Sequence, residues 1–395
     1  MLAAIFLAVL GATAPIDSLF EIRVVPAPSA PVIDGVLGEN EWQGAAIAGD
    51  FIQYEPQHGE TSEVATQALV MYDVDHLFVA FRVWDPKPPA AQLTRRDADL
   101  FNDDSVILLL DTHDDDRSAY YFMTNALGVQ TDGRIANDGR TVDVTWDAPW
   151  QSAAQKTDFG WAVEMSIPFT SLKYATGDGQ VWGINFGRSR RRTLEVSFWA
   201  GPLENRFRVS QAGNLIGLDI SAPVRRHQII TYGLSRFEEG QSGDWDAGSD
   251  FRYALNPEMS AYATINPDFA TIEADQEQIN LTRFELSLKE KRPFFLEGNE
   301  LFRQRIRIFY SRRIPDITAG GKILGKQGAW TIAALAARSK PQDNSTASTF
   351  SVVRAQRDVL GSSNIAVMLA NRRFEEENQG SARLDATLFF SKTIV

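Results

Sequence analysis

The chain has 395 residues, enough for two or three domains with full cores, and its lack of cysteine excludes a disulfide framework or a thiolate metal site. Its net charge of −12 is unevenly spread: residues 1–220 carry 30 acidic and 16 basic side chains with seven of the nine tryptophans, and residues 221–395 carry 21 and 23. The acidic first half argues against a nucleic-acid partner, whose phosphates need a basic face.

At the N-terminus the apolar run Leu2–Leu10 closes on Ala12-Thr13-Ala14, which reads as an export signal over residues 1–14, followed by a linker over 15–30. The alternative reading is a buried first element. No run in the chain is long enough to cross a bilayer as a helix, so any insertion must use strands.

From residue 31 short apolar runs alternate with turns. Asp34-Gly35 marks a tight turn ahead of Trp42, and 68–85 reads as two strands around a turn at 73–76. Residues 105–134 give a strand, an acidic turn, a second strand and a glycine turn; 160–172 and 181–192 continue the pattern. This spacing without long helices predicts an antiparallel β-sandwich over 31–220. Trp42, Trp161 and Trp182 sit within apolar alternations and are assigned to its core. Arg188 and Arg190–Arg192 form a basic run, read as a solvated strand end or as partners of a carboxylate.

The segments IDGVLGENEW (33–42), DDSVILLLDT (103–112), GWAVEMSIP (160–168) and WGINFGR (182–188) resemble, in this order, the family 9 carbohydrate-binding modules. The resemblance implies a glycan or oligosaccharide partner held by stacked tryptophan faces and polar side chains. Trp84 and Trp199, at strand ends, are the candidate stacking pair, with Trp146 and Trp150 next; Arg95, Arg96 and Asp97 are the candidate hydroxyl-binding groups. The competing reading for each aromatic is core or rim packing. Asp111, Asp114 and Asp116 in DTHDDD form an oxygen-rich turn, a candidate structural calcium site, with a solvated acidic turn as the alternative. No nucleophile elbow, H-E-x-x-H or P-loop is present and the four histidines are isolated, so catalysis is poorly supported; the many Asp and Glu pairs leave a glycoside-hydrolase-associated module as the distant enzymatic alternative.

From residue 221 the sequence becomes segments of about ten residues that alternate large apolar with small or polar positions, as in 363–374. They include 306–314 and a last segment at 382–395. The stretch 265–302, with EKRPFFLEG, FYSRRI and GGKILGK, resembles the region that follows a family 9-like domain in a family of bacterial outer-membrane proteins. That resemblance implies part of an antiparallel transmembrane β-barrel over 221–395, in contact with outer-membrane lipid and truncated at its C-terminus. Residues 268–302 carry mixed charges that lipid would not tolerate and are expected to form a plug or connector. The all-β chain is therefore expected to be an exported outer-membrane protein for glycan capture or uptake. A transport or assembly protein with the sandwich as scaffold is the alternative.

Overall fold

The computed structural model describes residues 20–38, 40–174, 179–220, 227–236, 244–256, 258–267, 290–302, 306–341, 346–359 and 363–388. The predicted export signal and residues 268–289 of the predicted connector lie outside them.

The first half contains β1 (Glu21–Arg23), β2 (Ala46–Ala48), β3 (Ile52–Glu55), β4 (Thr66–Tyr72), β5 (His76–Trp84), β6 (Ser105–Asp111) and β7 (Ala119–Asn125). It continues with β8 (Gln130–Ala136), β9 (Thr141–Asp143), β10 (Gln151–Thr157), β11 (Gly160–Pro168), β12 (Gln180–Arg190), β13 (Glu195–Phe198) and β14 (Gly213–Leu218). One sheet runs β1-β14-β12-β6-β7-β8-β9, with β13 joining β12 to β3; the facing sheet runs β10-β11-β5-β4-β2. Between them lies a core of Val79, Phe81, Trp161, Val163, Leu108, Phe122, Trp182 and Phe186.

Local chemistry sets these elements. The β4–β5 hairpin turns where Asp73 Oδ1 accepts from the amides of Asp75 (2.8 Å) and His76 (2.7 Å). Leu69, Met71 and Phe78 on its outer face would be exposed but for Trp42, which covers them. Glu164 of β11 holds that cover in place. It accepts from Trp42 Nε1 (2.8 Å), Asp34 N (3.0 Å) and Gly35 N (2.8 Å). Gly35 has φ +87°, and a Cβ there would meet the Ala154 backbone at 2.8 Å, so the turn requires glycine.

Two expectations are corrected. The sandwich begins before residue 31: β1 pairs in parallel with β14 and buries Ile22, so much of the predicted linker is structure. Arg188 and Arg190 are not a solvated strand end. Both are buried around Asp85, with Arg188 Nη2 at 3.2 Å and Arg190 Nε at 2.9 Å from its carboxylate, because the strand carries them into the interior beside the end of β5.

Among its described residues the second half is a single antiparallel meander of eight strands. They are β15 (His227–Arg236), β16 (Asp244–Ala254), β17 (Met259–Ile265), β18 (Ile317–Gln327), β19 (Trp330–Ser339), β20 (Thr349–Val359), β21 (Ser363–Phe374) and β22 (Glu377–Thr387). The sheet does not close on itself: among the described residues β15 and β22 are its two open edges. The expected strand at 306–314 is instead irregular, with a 3-10 turn at Ser311–Arg313. Its carbonyls are taken by a side chain: Arg292 donates to Ser311 O (2.7 Å) and Ile314 O (2.7 Å). Two short helices, α1 (Pro293–Leu296) and α2 (Asn299–Phe302), stand where the predicted connector ends.

Candidate functional site

The loop between β5 and β6 is laid across the edge of the sandwich by the aspartate pair ahead of β6. Asp104 Oδ2 accepts from Ala90 N (2.9 Å), and Asp103 Oδ2 accepts from Gln92 N (3.1 Å) and Leu93 N (2.9 Å). The loop then presents Arg95, Arg96 and Asp97, the last in a left-handed conformation with φ +61°. Arg96 reaches across β8 to Asp132 Oδ1 (2.8 Å), Asp147 Oδ1 (2.7 Å), Ala148 O (3.2 Å) and the side chain of Gln130.

Asp132 is the fixed point of this cluster. Its side chain is fully buried, and it also accepts from Ala148 N (2.9 Å) and Trp150 Nε1 (3.1 Å). Burial pushes its carboxyl up to about 6, against the pull of those hydrogen bonds and of the Arg96 charge. Burial likewise raises Asp97, with Arg96 opposing it. Asp147, 68% exposed, and exposed Arg95 stand at the rim. Trp146, half-buried, packs its ring 4.8 Å from Tyr120. The edge therefore offers carboxylates that accept from hydroxyls, guanidinium groups that donate to them, and part of one indole face. That set suits a polyhydroxylated ligand.

Residues 33–189 match the family described as "Carbohydrate family 9 binding domain-like". The sandwich is a family 9-like domain. Residues 227–327 match a second family, described as "Domain of unknown function (DUF5916)". Among solved structures, one similar to the chain is a carbohydrate-binding module family 9 from Caldicellulosiruptor kristjanssonii in complex with cellotriose. It is 17% identical over 52% of this chain and 95% of that one, with a TM-score of 0.38. Another is a putative carbohydrate-binding protein from Bacteroides uniformis, 13% identical over 50% of this chain and 98% of that one, with a TM-score of 0.41. No curated protein matches the sequence. Scores this low leave the site to be read from this chain's own residues.

The family 9-like sandwich brings together only part of the predicted set. Arg95, Arg96, Asp97 and Trp146 share one edge. Trp84 does not: it pairs with Gly160, opposite Thr157, whereas Gln151, next to Trp150, pairs with Ser166. Six residues of strand separate the two ends, on the order of 20 Å. Trp84 there keeps a half-exposed ring 5.6 Å from that of Phe159. Trp199 is corrected to core. It is 8% exposed and wedged between Phe20 (5.4 Å) and Phe186 (5.6 Å), which leaves no face for a sugar.

The acidic turn is held by its own amides. Asp111 is buried with both oxygens turned to its own loop: Oδ1 accepts from His113 N (3.1 Å), and Oδ2 from Asp115 N (2.8 Å) and Asp116 N (2.8 Å). Asp114 and Asp116 point to solvent from left-handed residues. The three do not converge as calcium ligands, and no group of three or more His, Asp or Glu among the described residues does. The carboxylate acts as a turn former.

Asp132 and Asp147 were missed by sequence reading. Their signal is weak, because each meets Arg96 only through the pairing of distant strands. What the sequence did offer was Asp147 between two tryptophans in TWDAPW.

Proposed function

We propose that the chain is an outer-membrane carbohydrate-binding protein, in which the family 9-like sandwich takes an oligosaccharide at the Arg96–Asp97–Asp147 edge and the eight-stranded sheet forms part of a transmembrane β-barrel wall. The observation that carries the membrane half is the exposed apolar face of that sheet, set against an inner face that carries charged groups beside a covered apolar cluster. One row of neighbours across it is Leu369, Val353, Ala334, Ile323, Ala261 and Tyr253, on the outward face. Trp245 (76% exposed), Phe251, Trp330, Ile365, Val367 and Leu384 (73% exposed) lie bare around it. The opposite face carries Arg252, Tyr262, Lys322, Arg354, Gln356 and Asp358. A contiguous apolar band outside, with the charged groups confined to the inner face, is what lipid and a lumen require.

The described part of the predicted connector supports a plug. Glu290–Phe302 lies on the inner face, where Phe294, Phe295 and Phe302 pack on Leu324, Leu335, Val352 and Met368. Lys322 Nζ donates to Phe294 O and Glu297 O (2.7 Å each), and Tyr262 donates to Glu297 Oε1 (2.7 Å).

Titrating the detergent-solubilised chain calorimetrically with cellotriose and a panel of other oligosaccharides tests the sugar half. At least one should give saturable heat, which Arg96→Ala removes while leaving the thermal melt of the sandwich near its original temperature. Heat unchanged in Arg96→Ala would move the sugar away from this edge, and no heat from any sugar would turn the reading to the alternative of a transport or assembly protein. Burial of Trp199 favours that alternative.

A further inference from the structure

We infer that the sandwich sits at the short-turn mouth of the membrane-embedded sheet, so that it meets its ligand on the periplasmic side of the outer membrane and not outside the cell; this rests on the membrane reading above. The strand register sorts the connections by end. Residues 255–258, 328–329 and 360–362 join strands at one end, and His227 pairs with Tyr253 beside them. Residues 237–243, 266–316 and 340–348, with the short 375–376, join strands at the other. In outer-membrane barrels the short turns face the periplasm and the long loops face outside.

The sandwich is fastened to the short-turn end by charge. Lys326, the next-to-last residue of β18, pairs with Asp115 of the β6–β7 turn and with Asp358 near the end of β20 (2.8 Å). Arg117 pairs with the same Asp358, and Arg134 of β8 pairs with Glu300 of α2 (2.5 Å). These side chains are largely buried, around a cavity of about 110 Å³. Pulling the two bodies apart would strip Asp115, Arg117 and Arg134 of their partners across the seam and leave Lys326 and Asp358 only each other, which disfavours a freely swinging tether. The sandwich thus covers one mouth of the sheet, and the mouth it covers is the short-turn one.

The natural absence of cysteine allows single reporters. The whole chain would carry Val74→Cys in the sandwich, Ala329→Cys in the short turn, or Glu376→Cys at the far end, all three exposed positions. Bacterial cells displaying each variant are treated with a membrane-impermeant maleimide before and after the outer membrane is permeabilised. Glu376→Cys is expected to label in intact cells, and Val74→Cys and Ala329→Cys only after permeabilisation. Labelling of Val74→Cys in intact cells, or silence of Glu376→Cys there, overturns the assignment while leaving membrane insertion intact. Recovery of the chain in the soluble periplasmic fraction instead overturns the membrane reading, and this inference with it.

Discussion

Glu164 shows how one side chain joins sequence segments that lie far apart. Its carboxylate satisfies two buried donors, from Gly35 and Trp42, and a partly buried one from Asp34, and so fixes the N-terminal turn over the outer face of β4 and β5. Glu164→Ala strands all three, and each unsatisfied buried donor costs roughly 1–3 kcal/mol. A loss of about 3 kcal/mol or more is expected in urea unfolding, with Glu164→Gln, which keeps an acceptor, losing clearly less. Asp132 sets a pH dependence of the opposite kind to most carboxylates. Its folded-state pKa of about 6 lies above the ordinary 3.8, so the folded form binds the proton more tightly. Its contribution therefore rises as pH falls from about 6 towards 3.8. Compared with Asp132→Asn, the wild-type sandwich should gain relative stability between pH 7 and pH 4.5 in matched denaturation curves. Wild type and Asp132→Asn changing in parallel would exclude this.

At the scale of elements, α1 and α2 are tied to the sheet through Glu297. Burial alone would raise its carboxyl, but the charges of Lys173, Lys322 and Arg252 with the Tyr262 hydrogen bond hold it at about 2. That stabilisation is complete above about 4.5 and is lost as pH falls towards 2. In detergent, the melting temperature of the wild type should drop more between pH 7 and pH 3.5 than that of Glu297→Gln. Which elements could be read from the sequence follows the same division between local and distant partners. The β4–β5 hairpin was legible because Asp73 builds its turn from amides two and three residues away. The irregular 306–314 was not, since its alternation imitates a strand and the Arg292 that takes its carbonyls lies outside the segment. Strand β10, QSAAQKT, has no large apolar residue to announce it and is held by its pairing with β11. Of the candidate site, the Arg95–Asp97 loop and Trp146 were readable as polar and aromatic residues near strand ends. The burial of Trp199 was not, because Phe20 from the far N-terminal segment covers it.

For the whole molecule, the outward band of the meander makes the sharpest demand. Val367→Lys and Leu369→Lys each place a charge on the face read as lipid-exposed, where a lysine near the bilayer midplane costs about 2–4 kcal/mol. Each should reduce the fraction of chain recovered folded in the membrane, whereas Gln356→Lys, on the inner face, should leave it unchanged. Equal recovery of all three would remove the reason for placing this face in lipid. The inner face has its own consequence. Beneath Phe294, Phe295 and Phe302 the sheet is lined by Leu324, Leu335, Val352 and Met368, with polar groups such as Lys322 and Arg354 beside them. Withdrawing the two helices would not leave an open water column along these strands. It would bare an apolar patch across the middle of this face, which water wets poorly. On the proposed reading of this face as a lumen wall, a hydrated solute would meet that patch even with both helices displaced.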